Sequence, residues 1–467
     1  MKYDKLYIGG EWVLPDSKEM IEVENPADKS IVGQVVAGNK EDVYRAVGAA
    51  KEAFKSFQFS SLEDRKKLLE ALIPQLEKRL DILASTISKE LGCGISFAKN
   101  SHVLPYIQDI RDNLKMVDDY PFEEKFDDYI VRREPVGIVG ALTPWNYPLG
   151  QIIKKLSPSI LGGNTMVLKP SQKTPLVAYL LAEAIDEAGF PKGVFNLVSG
   201  RGSEVGNVIA THPDVKLVTF TGSTKGGKEV AKLAVGDIKR LSLELGGKSP
   251  AIILKGADYK LALKKTLDKV YLNTGQSCSA YSRLLVPRSQ KEDIEEMIIE
   301  MTKGYKFGDP RDPDVVVGPL ANEDQFKKVK GFIEKGIEEG ARLLLGEVPK
   351  ESYGYYVNPV VFTDVDNKME IAQNEIFGPV LSIIAYDSLD EAIEIANDTV
   401  YGLSGGVFGD FDEAYEVAKK IRTGTLVINS GNQLHRAPFG GFKHSGFGRE
   451  GGKFGLDEFV EVKAVFI

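Results

Sequence analysis

Cysteine, tryptophan and histidine are all scarce: the 467 residues include two, two and four of them, respectively. Cys93 and Cys278 are far apart in the sequence, which excludes both a disulfide framework and a cysteine-rich metal site. The histidines are scattered, without a pair at helical spacing, so no metal ligand set is predicted. Two isolated cysteines are typical of a reducing compartment, and a cytoplasmic protein is expected.

Long uncharged segments and clusters of like charge are also missing. The longest uncharged segment, residues 135–153, contains three prolines, which excludes a helix that faces lipid. The net charge is −8 and there is no basic cluster, so neither nucleic acid nor a membrane surface is expected as a partner. The first ten residues lack the apolar core of a signal peptide.

The length predicts two or three packed units. Leucine and isoleucine recur at three- and four-residue steps from Leu68 to Leu91, which predicts a helical N-terminal third. Pro74 is expected to break or kink this helical segment, and Gly92 is expected to end it.

From about residue 136 onwards, short apolar runs alternate with helical patterns, including a helix after Thr174-Pro175. This alternation is typical of α/β domains with a mostly parallel sheet, and it starts again after Gly246-Gly247. The candidate strands are 136–142, 165–168, 194–198 and 217–220 before that glycine pair and 251–254, 284–286, 343–345, 380–385 and 426–429 after it.

Two residues could carry nucleophilic chemistry. Cys278 lies among small and polar residues after Gly275, a context that suits a turn open to a ligand, although a lone cysteine is more often a buried structural thiol. Glu244 lies between two leucines and before Gly-Gly, where partly apolar surroundings would raise its pKa and make it a base. The structural alternative is a glutamate at a strand end or helix cap.

Two further segments could bind an anion or an oxyanion. Prolines on both sides fix the backbone around Asn146, so its amide could donate to a developing oxyanion; an Asx turn is the alternative. The glycine-rich turn in Phe220-Thr-Gly-Ser-Thr-Lys-Gly-Gly227 joins a strand to a helix and could expose N–H groups to phosphate. The G-x-G-x-x-G dinucleotide motif is absent.

Together these segments resemble the aldehyde dehydrogenase superfamily over nearly the whole chain. The motifs occur in the family's order: Pro-Trp-Asn146-Tyr-Pro, Lys169-Pro-Ser, Phe-Thr-Gly-Ser223-Thr-x-x-Gly227, Glu244-Leu-Gly-Gly-Lys, Gly275-Gln-Ser-Cys278, Glu375-Ile-Phe377-Gly-Pro and Pro438-Phe-Gly-Gly-Phe-Lys-His-Ser-Gly-Phe-Gly-Arg449-Glu. The resemblance implies an α/β fold with a Rossmann-like cofactor-binding domain, an α/β catalytic domain and a small β oligomerisation element. The implied ranges are 1–117 with 137–246, then 247–445, and 118–136 with 446–467.

The resemblance also implies a reaction. Cys278 would attack the aldehyde, Asn146 and the Cys278 N–H would hold the oxyanion, and hydride transfer would leave a thioester. Glu244 would activate the hydrolytic water. Relatives that transfer the acyl group to coenzyme A tend to lack this base, so the free acid is the expected product.

A nicotinamide cofactor is implied in the same way. Lys169 would reach the adenosine ribose, Ser223 the pyrophosphate and Glu375 the nicotinamide ribose. The implied cofactor residues are Pro144, Trp145, Lys169, Ser171, Gln172, Gly222, Ser223, Gly227, Glu375 and Phe377. Many NAD-preferring relatives carry Glu where this chain has Gln172, and because a neutral amide repels a 2′-phosphate less, NAD is expected and NADP is a second candidate.

The implied substrate channel contains several polar or cationic side chains. Its members are Tyr147, Gln151, Lys154, Ser277, Ser279 and the 433–436 stretch that begins with Gln433. These residues lead to the hypothesis of a small polar or anionic aldehyde such as a semialdehyde. The segment 459–467 alternates between apolar and polar residues, and as an unpaired strand edge it would tend to pair with another chain. Together with the resemblance, this pattern indicates a homodimer or homotetramer.

Two rival functions remain open on the sequence alone. A thiol hydrolase could use Cys278 with Glu244 and Lys169 and ignore nucleotides, but the motifs around Ser223 and Glu375 would then have no role. An idle scaffold or binding protein would need a lost catalytic residue, and none is lost.

Overall fold

The computed structural model describes all residues, 1–467. In chain order the strands are β1 (Lys2–Tyr3), β2 (Leu6–Ile8), β3 (Glu11–Val13), β4 (Met20–Glu24), β5 (Ile31–Val36), β6 (Glu123–Lys125), β7 (Tyr129–Pro135), β8 (Ile138–Leu142), β9 (Thr165–Lys169), β10 (Phe195–Leu197), β11 (Val215–Thr221), β12 (Arg240–Glu244), β13 (Pro250–Ile253), β14 (Arg283–Pro287), β15 (Arg342–Leu345), β16 (Val360–Thr363), β17 (Val380–Tyr386), β18 (Gly406–Phe408), β19 (Val427–Ile428), β20 (Gly446–Phe447) and β21 (Val460–Phe466). The α-helices are α1 (Lys40–Phe57), α2 (Leu62–Lys78), α3 (Leu80–Leu91), α4 (Ile95–Phe97), α5 (Leu104–Met116), α6 (Pro148–Leu161), α7 (Leu176–Glu187), α8 (Asn207–Thr211), α9 (Thr224–Ala234), α10 (Tyr259–Tyr271), α11 (Lys291–Thr302), α12 (Glu323–Glu338), α13 (Glu370–Gln373), α14 (Leu389–Asn397), α15 (Phe411–Lys420) and α16 (Gly452–Asp457). None of the helices combines the length and apolar character needed to cross a bilayer.

An eight-stranded sheet has the order β20-β12-β11-β8-β9-β10-β2-β3, with parallel pairing from β12 to β10. The central strands β8 and β9 are buried along their whole length, as expected for parallel strands covered on both faces. The carboxyl ends of parallel strands meet at one edge: Leu142 pairs with Lys169, and Thr221 pairs with Glu244. The residues that follow β8, β9, β11 and β12 therefore share the edge where α/β sheets bind ligands.

A seven-stranded sheet follows, with the order β15-β16-β17-β14-β13-β18-β19. Six of its strands pair in parallel, and β15 is antiparallel to β16 at one edge. Helix α10 connects β13 to the loop that carries Cys278. The mixed α/β fold class predicted from the alternating pattern is confirmed.

Two three-stranded sheets lie outside this core. One contains β1, β5 and β4; the other contains β6, β7 and β21. Strand β21 is antiparallel to β7, from Val460 opposite Pro135 to Phe466 opposite Tyr129, and its other edge has no partner within the chain. After its first residue β21 is exposed throughout, with Phe466 at 79%. Strand β20 pairs with β12 and so belongs to the eight-stranded sheet.

The N-terminal third is mainly helical from Lys40 onwards, as predicted, but the segment before Lys40 and the break expected at Pro74 differ from the prediction. Five strands of two to six residues precede α1, and such short strands give little periodic signal. Helix α2 continues through Pro74, and the interruption comes at Arg79 between α2 and α3. Burial of Leu72 and Leu76 in the core offsets the hydrogen bond that Pro74 cannot donate. Gly92 ends α3 in the left-handed conformation, as predicted.

Candidate active site

Cys278 lies in a partly exposed turn after α10. The preceding backbone is unusual, because Asn273 and Thr274 have φ values of 53° and 56°. A Cβ on Gly275 would come within 2.2 Å of a backbone carbonyl oxygen, so only glycine allows this close approach. The Gln276 side chain donates to Asn273 O at 3.2 Å and accepts the Ala321 N–H at 2.8 Å. These constraints hold the cysteine in one position.

The amide of Asn146 is fixed against this loop. Its Nδ2 donates to Gln276 O at 3.0 Å, and Asn273 Nδ2 donates to the backbone oxygen of Asn146 at 3.0 Å. Asn146 is buried and lies between Pro144 and Pro148. One amide hydrogen thus orients the side chain, and the second is left for another acceptor beside Cys278.

Glu244 ends β12 with its carboxylate buried and both oxygens without a hydrogen-bond partner. Glycine at position 440 makes room for this carboxylate, since a Cβ there would lie 2.7 Å from Oε1. Burial, reinforced by the charge of Glu450, raises the pKa of Glu244 well above its ordinary value. Burial, followed by the charges of Glu375 and Glu244, also raises the pKa of the Cys278 thiol, to about 12.

A buried charge cluster lies behind Glu244, and sequence reasoning gave its members other roles or none. Lys155 Nζ donates to Glu450 Oε1 at 2.5 Å and to Thr221 Oγ1 at 2.7 Å. Lys154 Nζ lies 3.6 Å from the other oxygen of Glu450. Burial alone would raise the pKa of Glu450, but the two lysines lower it, so this carboxylate is charged. The available signal was Lys154-Lys155 one turn after Gln151 on α6.

A cavity of about 130 Å³ lies on one side of Cys278, at the carboxyl edge of the eight-stranded sheet. Its lining residues are Pro144, Trp145, Asn146, Gln151, Thr221, Gly222, Ser223, Glu244, Leu245, Gly246, Cys278, Gln325, Lys328, Glu375 and Phe377. Six predicted cofactor residues are among them. The Trp145 and Phe377 rings meet edge to face with centroids 5.4 Å apart.

Ser223 caps α9 at the mouth of this cavity. Its Oγ accepts the Gly226 N–H at 3.1 Å, and the remaining first-turn N–H groups form a positive helix end. Gly227 does not line the cavity. A Cβ at Gly227 would lie 2.4 Å from the Leu245 side chain, so this glycine allows close packing of α9.

Glu375 is held by the Gly246-Gly247 turn. Its Oε1 accepts the Gly247 N–H at 2.8 Å, and a Cβ on Gly246 would lie 2.6 Å from Oε2. Burial raises its pKa, which Lys328 partly offsets. Phe377 has a φ of 63°, and Gln325, which sequence reasoning did not identify, donates to its backbone oxygen at 2.7 Å.

Three predicted cofactor residues lie at the end of β9, outside the cavity of Glu375. Lys169 is buried, its ammonium group makes no hydrogen bond or ion pair within the chain, and burial lowers its pKa to about 8. Ser171 accepts the Lys173 N–H at 3.2 Å, and Gln172 is half-buried beside it. An ammonium without a partner and a neutral amide therefore lie at the same sheet edge as Ser223.

A second cavity, of about 420 Å³, lies on the other side of Cys278. Its lining residues are Phe97, Asn100, Ser101, Pro105, Tyr106, Tyr147, Gln151, Lys154, Lys265, Asp268, Lys269, Leu272, Ser277, Cys278, Ser279, Gln433, Leu434, His435 and Phe439. All six predicted channel residues belong to it. Apart from Tyr147, sequence reasoning did not identify its aromatic side chains, and it did not identify the lysines from α10. Cys278 and Gln151 line both cavities, so the nucleophile lies where they meet.

The chain also shows no group of His, Cys, Asp and Glu that could hold a metal ion. The reactive groups that line the two cavities include a thiol, a buried carboxylate and a positioned amide.

Known proteins match the chain over nearly its full length. The model of the Aldehyde dehydrogenase family matches residues 12–465. A Staphylococcus saprophyticus protein provisionally named an aldehyde dehydrogenase is 46% identical over 470 residues, covering 99% of this chain and 98% of its own. Aldehyde dehydrogenase C of Pseudomonas syringae, solved as a Cys→Ala variant with NAD+ and octanal, has 42% identity and a TM-score of 0.97, covering 99% of this chain and 96% of its own. A Mycobacterium tuberculosis aldehyde dehydrogenase complexed with NAD+ has 40% identity and a TM-score of 0.97, with coverages of 100% and 98%.

Proposed function

The chain belongs to the aldehyde dehydrogenase family, and we propose that it oxidises a small polar or anionic aldehyde to the free acid through a covalent intermediate on Cys278. The observation that carries this proposal is the meeting of two cavities at Cys278. One suits an aldehyde and the other a nicotinamide cofactor. The protein is an NAD(P)-dependent aldehyde dehydrogenase; the substrate and the role of each residue are proposals.

In the first step the Cys278 thiolate attacks the aldehyde carbon and forms a thiohemiacetal. The charge that develops on the aldehyde oxygen is stabilised by the Cys278 N–H and by the free hydrogen of the Asn146 amide. The hydrogen bond from Asn146 Nδ2 to Gln276 O supports this role, because it fixes the donor before the substrate arrives. Loss of a hydride then converts the thiohemiacetal to a thioester.

Glu244 completes the reaction as the general base. It removes a proton from the water that attacks the thioester, and the acid leaves as the Cys278 thiolate is restored. Two features support this role: both carboxylate oxygens lack a hydrogen-bond partner, and burial raises the pKa of Glu244 well above its ordinary value, which makes it a stronger base. Glu450, charged and fixed by Lys155, contributes to this raised pKa.

The cofactor residues fit a dinucleotide. Lys169 is a buried ammonium with no partner, the α9 terminus behind Ser223 offers N–H groups to phosphate, and Glu375 is a fixed acceptor for ribose hydroxyls. Bound NAD(P)+ supplies the hydride acceptor. Pro144, Trp145 and Phe377 would border the nicotinamide, and Ser171 and Gln172 the adenosine ribose. NAD is the proposed cofactor, with NADP as a second, since Gln172 carries no charge to repel a 2′-phosphate.

The aldehyde would occupy the larger cavity, which combines an aromatic wall with cationic side chains. Tyr106, Tyr147 and Phe439 would contact the carbon chain, and the lysines favour an anionic group. The similar Pseudomonas syringae enzyme was solved with octanal, an uncharged chain, which makes the comparison of charged and uncharged aldehydes the decisive one for this substrate class.

We further propose that the protein forms a homodimer or homotetramer through β21. Its free edge and the exposed side chains of Val462, Val465 and Phe466 support strand pairing between subunits. A reducing location such as the cytoplasm is proposed because both cysteines are unpaired thiols.

The proposal is tested by following the absorbance of reduced nicotinamide with NAD or NADP and a panel of semialdehydes and alkyl aldehydes. Wild-type protein should reduce the cofactor only when an aldehyde is present, and Cys278→Ala should abolish the reaction. Cys93→Ala is the matched control, because this buried cysteine lines neither cavity and should leave turnover within about threefold.

Other outcomes would contradict the proposal at different levels. Cysteine-dependent ester cleavage without nucleotide reduction would favour a thiol hydrolase. Absence of both nucleotide binding and turnover would favour a binding protein that reuses the fold. A clear preference for a long alkyl aldehyde would leave the reaction in place and overturn only the substrate class.

A further inference from the structure

Lys269 is the one lysine in the substrate cavity whose charge has no partner. It lies on α10 one helical turn after Lys265, and both residues line the cavity that contains Cys278. The side chain of Lys269 makes no hydrogen bond or ion pair within the chain, and its Nζ lies over the Tyr281 ring, 5.9 Å from the ring centroid. Burial lowers its pKa, with the Cys278 thiolate opposing that effect. An ammonium in this position lacks a counterion.

The other two cavity lysines are already engaged. Lys154 is paired with the buried carboxylate of Glu450, 3.6 Å away, and lies over the Phe439 ring. Lys265 Nζ donates to the Ser430 oxygen at 3.3 Å and to Asn432 Oδ1 at 2.9 Å. These contacts hold Lys154 against Glu450 and Phe439, and they hold Lys265 to the 430–432 loop.

The nearby acidic side chains, Asp268 and Glu244, form no ion pair with Lys269. Asp268 is the carboxylate next to it in the cavity lining, and its Oδ1 accepts from Tyr305 Oη at 2.7 Å and from Lys264 Nζ. Glu244 lines the opposite cavity. A ligand in the larger cavity can therefore supply the missing negative charge.

Building on the proposed function, we infer that Lys269 is the specificity-determining residue of the substrate cavity, and that it binds a carboxylate carried by the aldehyde. The substrate class is then a short aldehyde with a carboxylate group, a semialdehyde. The Cys278 end of the cavity receives the carbonyl, and the α10 wall receives the carboxylate. Hydrogen bonds between charged groups in a partly buried site are strong enough to select between such substrates.

The experiment compares succinate semialdehyde with butanal, two aldehydes of equal carbon number that differ in charge, in wild-type protein and in Lys269→Met, which keeps the apolar stem. The variant should raise the KM for the semialdehyde by roughly 10- to 100-fold, with kcat changed only a few-fold, because the lost contact is with the carboxylate of the substrate and not with its aldehyde carbon. Its KM for butanal should change by no more than about threefold, because butanal has no carboxylate for Lys269 to bind. Lys269→Arg should recover most of the affinity.

Lys260→Met is the matched control: it removes an exposed lysine of the same helix that has no partner and does not line the cavity. Neither substrate should be affected. A second measurement needs no variant: in wild-type protein, succinate should inhibit butanal oxidation at least tenfold more strongly than butanoate does.

The outcomes separate this inference from the proposed function. If the wild type oxidises both aldehydes and Lys269→Met changes neither KM, or changes both equally, Lys269 has no role in charge recognition. Equal inhibition by succinate and butanoate would lead to the same conclusion. Failure of the wild type to oxidise any aldehyde would overturn the proposed function, and this inference with it.

Discussion

Glu244→Gln separates the two halves of the proposed reaction. The substitution keeps the size and shape of a side chain that is 3% exposed. It removes the one carboxylate in the cofactor-side cavity that has no hydrogen-bond partner on either oxygen, since Glu375 accepts the Gly247 N–H. Cys278 and Asn146 are not changed. Attack and oxidation should therefore proceed, and thioester hydrolysis should not.

The expected magnitude follows from the role of the base. General-base catalysis contributes about 10²- to 10⁴-fold, so steady-state turnover should fall by that factor. The pKa of Cys278 is raised by Glu244 after burial and Glu375, so removing this charge favours the thiolate. The first turnover should consequently be as fast as in the wild type or faster.

The assay is stopped-flow absorbance of reduced nicotinamide. Glu244→Gln should give a burst equal to the concentration of active sites, followed by a slow phase. Glu300→Gln, at an exposed position on α11, is the control and should behave like the wild type. A Glu244→Gln protein that keeps more than a tenth of the steady-state rate and shows no burst would refute the assignment of the base.

The same variant has a stability signature. A carboxyl group whose pKa is raised in the folded protein favours folding below its unfolded pKa, about 4.3. That advantage is lost as the pH rises through the folded pKa. Because the pKa of Glu244 is raised in the folded protein, this carboxyl group opposes folding more at pH 8 than at pH 4. The melting temperature of Glu244→Gln minus that of the wild type should therefore be larger at pH 8 than at pH 5, as measured by circular dichroism.

Four other substitutions test the remaining assignments. Asn146→Ala should lower kcat about 10²- to 10³-fold through loss of the oxyanion donor, and a loss confined to KM would contradict this role. Gln172→Glu should raise the KM for NADP at least about tenfold while leaving that for NAD within about threefold; equal effects would remove Gln172 from cofactor selection. Glu375→Gln should lower the pKa of Cys278 and accelerate its alkylation by iodoacetamide at pH 8, since that carboxylate raises the thiol pKa; an unchanged rate would contradict the electrostatic coupling. Phe466→Asp should reduce the oligomer to a smaller species by light scattering, and an unchanged mass would show that β21 is not the contact.

Sequence patterns predicted those parts of the site that depend on local turns formed by proline and glycine. Prolines beside Asn146, glycines before Cys278 and after Glu244, and the turn that ends in Ser223 are local signals, and the structure brings these segments together around one cavity. The central strands were predicted for a similar reason, because continuous apolar runs indicate burial on both faces.

Other parts of the site depend on contacts between distant segments and left no local signal. Glu450 acquires its role from Lys155, nearly three hundred positions earlier in the chain. Lys269 lies in a helix rich in lysine, where charge usually indicates a solvated face, and only tertiary packing turns it toward the cavity. The first five strands were missed because their pairing, not their periodicity, makes them strands.

The pairing of β21 with β7 has a consequence for biosynthesis. Val460 is opposite Pro135, so more than three hundred residues are made between the two strands. Domains generally fold during synthesis, starting from the N-terminal end. In a growing chain β6 and β7 can pair, but their three-stranded sheet lacks its third strand until residues 460–466 have been made. Chains interrupted anywhere before that point keep an open β7 edge, which is a template for aggregation and a recognisable mark for quality-control chaperones and proteases.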